Sequence, residues 1–386
     1  MDVTVWFLAE RHATRRWSTD VSGSFRWEIL SGWSFDVEIQ RQEKGTLHFN
    51  PSLVWRIPRG RFDVVVLRGW SSPSYLLAQL VCMWFKIPTI LWSGSVPGAL
   101  AYGGKSQEKP VGRRGLFRPL LQWWVGNTHA YIAYGTRSRK YLIELGADPN
   151  RIYCVWNTVD VDKVMVAADV ERPKRDNLRT TLGVRPTDIL LLYVGLLQPL
   201  KYVDTLIQAY DLVSKQRSDV VLGLVGYGEC ESALRLQANQ IGSGRIAFFG
   251  HVALDDLSRY YTAADIFVLP SVDIWGLVVN EAMSCGLPIV ASEAVGCTDD
   301  LVISGVNGLT FPHGDVEALT RALLLLADDS AMRERMGRAS CTHIQNYTYI
   351  QAVPALARAL RNDSGKGKYV PAVESKVDFS EIRVRS

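Results

Sequence analysis

Short, uniformly apolar runs recur along the chain, most of them closed by glycine, serine or proline and followed by a helix-length segment. "ILLLYVG", "VVLGLVG", "DIFVLPS" and "PIVAS" leave no polar face, so strands made from them must be covered by helices on both sides. Strand followed by helix, again and again, argues for α/β architecture with parallel sheets. In the first half the same reading makes strands of "VTVWFLA", "FDVVVLRG", "IPTILWSG", "HAYIAYG" and "RIYCVWN". A polar, proline-containing stretch, "AADVERPKRDNLRTTLGVRPTD", then interrupts the cycle before it restarts. The expected division is a Rossmann-like domain over 1–166, a second over 167–345, a closing helix over 346–361 that packs back on the first domain, and a mobile tail over 362–386. Two such domains leave a cleft, and ligands of these sheets bind beyond the carboxyl ends of the strands.

Charge separates the halves. Residues 1–160 hold 20 Lys+Arg against 12 Asp+Glu, and the rest holds 23 against 27. The basic half suits an anionic partner. Its densest piece, "GGKSQEKPVGRRGLFRPLLQWWVG", fits either a helix at a membrane surface or a solvated loop followed by a core helix. Runs of tryptophan along the chain are expected in the core and not as a stacking platform, and no basic-aromatic module for nucleic acid is evident. An acid at position 2 and the lack of a basic leader argue against a signal peptide. Six scattered cysteines without CxxC spacing argue for reduced thiols in a cytoplasmic protein, not a disulfide framework or a zinc site.

The richest stretch is "SVDIWGLVVNEAMSCGLPIVAS", Ser271 to Ser292. The helix opening near Gly276 offers unpaired amides and a positive dipole end, and a glycine there lets an anion such as a diphosphate approach the backbone. Glu281, inside that helix, can accept from the vicinal hydroxyls of a ribose, and Asp273 from those of a sugar. As alternatives, Glu281 lies on the surface and Asp273 only caps the helix. Gly195 follows one strand, with Lys201 at the entrance of the next helix, where an ammonium can neutralise phosphate. Gly226 and Gly228 follow another. "DVD" at 160–162 is discounted as a metal motif.

Together with "YYTAADIFVLPS", "GHV", "WNTVD" and "GVNGLTF", these segments resemble the group 1 glycosyltransferases, a retaining family of the GT-B fold that includes glycogen-synthase-like and polysaccharide-assembly enzymes. The resemblance runs over most of 60–345. It implies two doubly wound domains facing across a cleft and transfer of a sugar from a nucleotide diphosphate sugar. The acceptor would be a glycan or a lipid-diphosphate-linked acceptor in cell-surface polysaccharide or glycolipid assembly. No metal or cofactor would be required. The enzyme would be cytoplasmic, peripheral on an anionic membrane face. Asp273, Lys201 and Glu281 would be catalytic. Gly195, Gln198, Gly226, His251, Val252, Trp275, Gly276, Leu277 and Val278 would join them in holding the donor.

Three departures stand out. Asp273 takes the place of a longer Glu. Leu196 takes the place of an Arg that usually helps bind diphosphate, and Gln198 is the candidate substitute. The usual histidine of the first domain is missing from "LWSGSVPG", which leaves Ser93 and Ser95 as acceptor contacts, with Arg11 and His12 in the first loop either joining them or belonging to a solvated basic loop. The competing expectation is a degenerate, non-catalytic member that binds nucleotide or a partner protein.

Overall fold

A computed structural model describes residues 2–9, 25–40, 43–96, 114–241 and 245–362. The first half is built on a four-stranded parallel sheet in the order β5–β6–β7–β8: Val65–Leu67, Thr89–Ser93, Ala130–Ala133 and Ile152–Cys154. Helices α2 (Pro73–Trp84), α3 (Arg114–Gly126) and α4 (Thr136–Glu144) connect these strands in turn. Because the strand order follows the sequence, right-handed crossovers place all three helices on one face. The strand residues divide accordingly. Leu91, Tyr131 and Ala133 pack with Val125 and Leu142 from α3 and α4. Ile90, Ala130 and Ile132 pack with Ala352 and Ala359 of the last helix, α14 (Tyr349–Asn362), so α14 covers the opposite face of this first sheet.

The expected strand near the start forms as β1 (Thr4–Phe7), but it pairs in parallel with β2 (Arg26–Ile29) in a two-stranded sheet of its own. An antiparallel hairpin of β3 (Trp33–Gln40) and β4 (Glu43–Phe49) follows, then α1 (Leu53–Gly60), which packs against α2. The hairpin and α1 are additions to the sequence reading.

The second half carries a six-stranded parallel sheet in the order β11–β10–β9–β12–β13–β14. The strands are β9 (Ile189–Val194), β10 (Val220–Val225), β11 (Ile246–Gly250), β12 (Ile266–Leu269), β13 (Ile289–Ser292) and β14 (Gly308–Phe311). Every residue of β9, β10, β12 and β13 is buried, as their apolar runs require. Helices α7 (Val203–Ser214), α8 (Glu231–Asn239) and α12 (Val316–Asp328) lie on one face. Helices α9 (Leu257–Ala263) and α10 (Leu277–Ser284) lie on the other, with α5 (Val161–Glu171) and α13 (Ser330–Ile344) packed on them. The segment α6 (Arg175–Thr181) joins α9, and the short α11 (Thr298–Leu301) precedes β14. The expected domain junction after residue 166 falls inside α5, which packs on α9 and α10. The change from one sheet to the other therefore lies just before Val161. Asp160 caps that helix by accepting from the Lys163 amide at 3.0 Å, which gives the "DVD" stretch a structural role.

β9 and β12 are neighbours whose following connections leave in opposite directions, β9 towards β10 and β12 towards β13. That divergence is the topological switch point of the sheet, where the crevice opens.

Candidate functional site

Two loops meet at the switch point. One runs from Gly195 to Tyr202 beyond β9, and the other from Ser271 to Gly276 beyond β12. Their backbones join where the Val272 amide donates to the Leu200 carbonyl at 2.9 Å. Their side chains join as an ion pair between the Lys201 ammonium and the Asp273 carboxylate, both about one-fifth exposed. The second Asp273 oxygen accepts from the Ser271 hydroxyl at 2.5 Å. Asp273 is therefore no helix cap. It is one half of a charge pair across the crevice.

Gly276 takes a left-handed conformation, φ 97°, at the start of α10. A side chain there would strain the backbone and press on Val295 at 2.9 Å. The first helical amides, at Leu277 and Val278, precede the first intrahelical bond and keep their donors for a ligand. Glu281, one turn further, is only 8% exposed and accepts from the Tyr261 hydroxyl at 2.7 Å. Burial pushes its carboxyl above the usual range, and the Tyr261 bond opposes that shift. The surface alternative for Glu281 is excluded. Trp275 is buried too, and its indole donates to the Asn280 side chain at 3.0 Å.

The glycine turns are forced by contact. A Cβ at Gly226 would sit 1.8 Å from the Gly195 carbonyl oxygen, and one at Gly228 would sit 2.3 Å from that of Leu197. The loops beyond β9 and β10 therefore lie backbone against backbone. Gln198 is half-buried beside them. Beyond β11, His251 is exposed with its ring edge-on to Tyr227 at 5.2 Å, and Val252 is half-buried.

On the first-domain side, Gly94 faces Ile274 and Tyr134. The Ser93 hydroxyl is buried and accepts from the Ser95 amide at 3.2 Å, so it serves the loop's own shape, while Ser95 is half-buried. Arg11, His12 and residues 97–113 lie outside the described residues. Arg68, at the end of β5, reaches the Tyr134 hydroxyl at 3.2 Å and is exposed at the same rim. A groove of about 590 Å³ opens between the domains, lined in part by Val96, Arg137, Lys140, Glu293, Ala294 and Thr310.

The sequence reading missed the link between domains. Asp300 accepts from the Thr136 amide at 3.0 Å and from its hydroxyl at 2.7 Å, so an acid of the second domain caps α4 of the first. Arg137 donates to the Glu293 and Val295 carbonyls, the Thr298 hydroxyl and the Asp299 carboxylate, at 2.5–3.1 Å. One signal was available in the sequence. The start of α4, "TRSRK", carries cations and no acid, against the helix dipole, and so calls for acids from elsewhere. Among the described residues there is no group of three or more His, Cys, Asp and Glu able to hold a metal, and no helix long and apolar enough to cross a membrane.

Residues 174–342 match the family described as glycosyl transferases group 1. The D-inositol 3-phosphate glycosyltransferase of Mycobacterium marinum is 33% identical over 316 residues, 79% of this chain and 65% of that protein. A GDP-mannose-dependent monoacylated alpha-(1-6)-phosphatidylinositol monomannoside mannosyltransferase of Corynebacterium glutamicum is 33% identical over 175 residues, 43% of this chain and 45% of that protein. The chain thus spans less than two thirds of the length of these curated relatives. The crystal structure of Anabaena Alr3699/HepE in complex with UDP shares the fold, with a TM-score of 0.67 at 18% identity over 88% of this chain and 86% of that one.

Proposed function

The chain belongs to the group 1 glycosyltransferases, with the GT-B fold, and on that premise we propose that it moves a sugar from a nucleotide diphosphate sugar to a glycan or lipid-linked acceptor. The observation that carries the reading is the Lys201–Asp273 pair at the switch point, set between the Gly195 turn and the amides that open α10. A diphosphate seated on those amides draws the Lys201 ammonium from Asp273, and the carboxylate so released accepts from the sugar's hydroxyls. Glu281 accepts from the ribose, and the base lies towards His251 and Val252. In the step itself the bond from the anomeric carbon to phosphate breaks and a bond to the acceptor oxygen forms. The acceptor's proton passes to the departing diphosphate. Helix-end amides and Lys201 stabilise the charge that develops there. Retention of configuration follows if the diphosphate assists the acceptor on the face it leaves, as the family resemblance implies. The mannosyltransferase relative named above acts on a phosphatidylinositol mannoside, which supports a lipid-linked acceptor seated in the interdomain groove.

Contact with an anionic membrane has its own support in the first domain. Helix α2 is apolar on every side: Leu80, Met83 and Trp84 face solvent, with Trp84 83% exposed, while Gln79 is buried. Leu120 and Trp123 of α3 are exposed as well, and Lys86 and Arg118 flank these residues. Binding to anionic liposomes in low salt, with release in high salt, is the expected result.

A thermal-shift screen of nucleoside diphosphates and their sugars tests the donor site, since a ligand that binds only the folded state raises Tm. A shift with one nucleotide series, lost in Lys201→Ala, is expected, and no shift with any member overturns the reading. Leu196 in place of an arginine favours a second reading, a non-catalytic nucleotide binder. Slow release of nucleoside diphosphate from the donor, abolished in Glu281→Ala, separates the two.

A further inference from the structure

The acceptor-side domain reaches into the donor loop. Arg137, at the first turn of α4, clasps the segment 293–299 through two backbone carbonyls, a hydroxyl and a carboxylate. That segment is itself bonded to the donor loop. The Gly296 amide donates to the Asp273 carbonyl at 2.9 Å, the Cys297 amide donates to the Trp275 carbonyl at 3.0 Å, and Asp273 pairs with Val295 as an isolated parallel bridge. The fit is close: a Cβ at Gly296 would lie 1.8 Å from the Ile274 carbonyl oxygen, and one at Gly135 would lie 2.5 Å from both Asp300 and Trp275.

We propose that Arg137 is a positioning residue that holds the Asp273–Gly276 loop in its sugar-binding shape, so that the donor site is complete only while the first domain is docked. An arginine suits the role because its planar fork holds two nitrogens apart in a fixed geometry and so reaches acceptors on both sides, a span that the compact ammonium of a lysine does not cover. Asp300 adds the second point of attachment, so the first turn of α4 cannot withdraw without releasing both contacts. The catalytic consequence rests on the transferase reading. The mechanical one does not.

Hydrogen exchange of peptides covering 272–284 and 293–300 in the full chain tests the clasp without any ligand. Arg137→Ala and Arg137→Lys are both expected to exchange faster there, with β9 and β10 unchanged. Equal exchange in wild type and both variants overturns the proposal. With a donor that shifts the wild-type Tm, Arg137→Ala is expected to bind the nucleoside diphosphate more weakly, because the amides that open α10 loosen with the loop. Its kcat for transfer falls on the order of 10- to 100-fold, because displacement of a positioning loop costs about that much. Arg137→Lys lies between the two. Faster exchange with an unchanged kcat also overturns the positioning role. If no nucleotide shifts the wild-type Tm, the transferase reading has failed, and the exchange result alone decides the clasp. Asp299→Asn, which spares Arg137, gives a milder increase in exchange and serves if both Arg137 variants fail to fold.

Discussion

The two halves of the molecule are built on the same plan and to different standards. The second domain has one contiguous core that takes in both faces of its sheet, and four of its six strands are buried throughout. The first domain divides its interior among three small clusters, one of them completed by α14 from the far end of the chain, and leaves Trp27, Trp33, Phe35, Trp55 and Trp84 exposed. The domain that would hold a phosphorylated donor needs fixed amides and a fixed ion pair. The domain that would meet a large or membrane-borne acceptor needs surface more than it needs a rigid interior.

The largest test of that contrast lies in the second domain's interior. Arg179 is fully buried and donates to the Asp265 carboxylate at 2.9 Å and the Ala263 carbonyl at 2.7 Å, while Asp265 also accepts from Arg175 and from the Leu190 amide. Arg179→Leu leaves that acid short of a partner and is expected to cost about 3–5 kcal/mol. Urea unfolding should show the loss in the later of two transitions, with the first domain opening in the earlier one. A single transition would mean that the two halves share one cooperative unit.

Next comes the proposed donor seat. Lys201→Met is expected to lower kcat about 10²- to 10³-fold, as removal of one charge-stabilising donor does elsewhere. Ser95→Ala, on the proposed acceptor side, should cost far less. Steady-state release of nucleoside diphosphate measures both, and equal losses would erase the division of labour.

A smaller effect is tied to pH. Burial raises the Glu281 carboxyl above its unfolded value. A carboxyl raised on folding adds stability that is fully present below the unfolded pKa and lost as pH rises through the folded one. Glu281→Gln removes that loss, so the variant should melt above wild type at pH 8, with the gap closing in acid, while nucleotide binding weakens. A gap of constant size across pH would show that the ionised form is not penalised. The smallest effect concerns Tyr202, which holds φ at 50° beside Lys201 with its ring edge-on to His313 at 4.1 Å. Tyr202→Gly relieves left-handed strain of about 1–2 kcal/mol and forfeits a ring contact of about 0.5–1.5 kcal/mol. Net stability should move by less than about 1.5 kcal/mol by chemical denaturation.

Strands β9 to β13 were legible because they are apolar runs closed by glycine, serine or proline, whereas β14, short and carrying Thr310, and α13 were not read as elements. The hairpin at 33–49 was missed because its charged residues and outward-facing Trp33 and Phe35 obscure the usual alternation. Helix α1 was missed because Pro58 lies inside it. Lys201 and Asp273 were both placed at the site, yet each was assigned to a ligand. Their pairing depends on two loops 72 residues apart lying on adjacent strands. The Thr136–Asp300 cap spans 164 residues, and no local pattern encodes it.

The abutting turns at Gly195 and Gly226 carry a last consequence. The two turns leave no room for a side chain between them, so the ends of β9 and β10 are fitted backbone to backbone. The turn beyond β10 therefore buttresses the Gly195 turn from behind, and neither loop can take on a side chain at Gly226 without the other giving way. Gly226→Ala is expected to force the two turns apart, whereas Gly195→Ala would instead press on the Tyr193 ring.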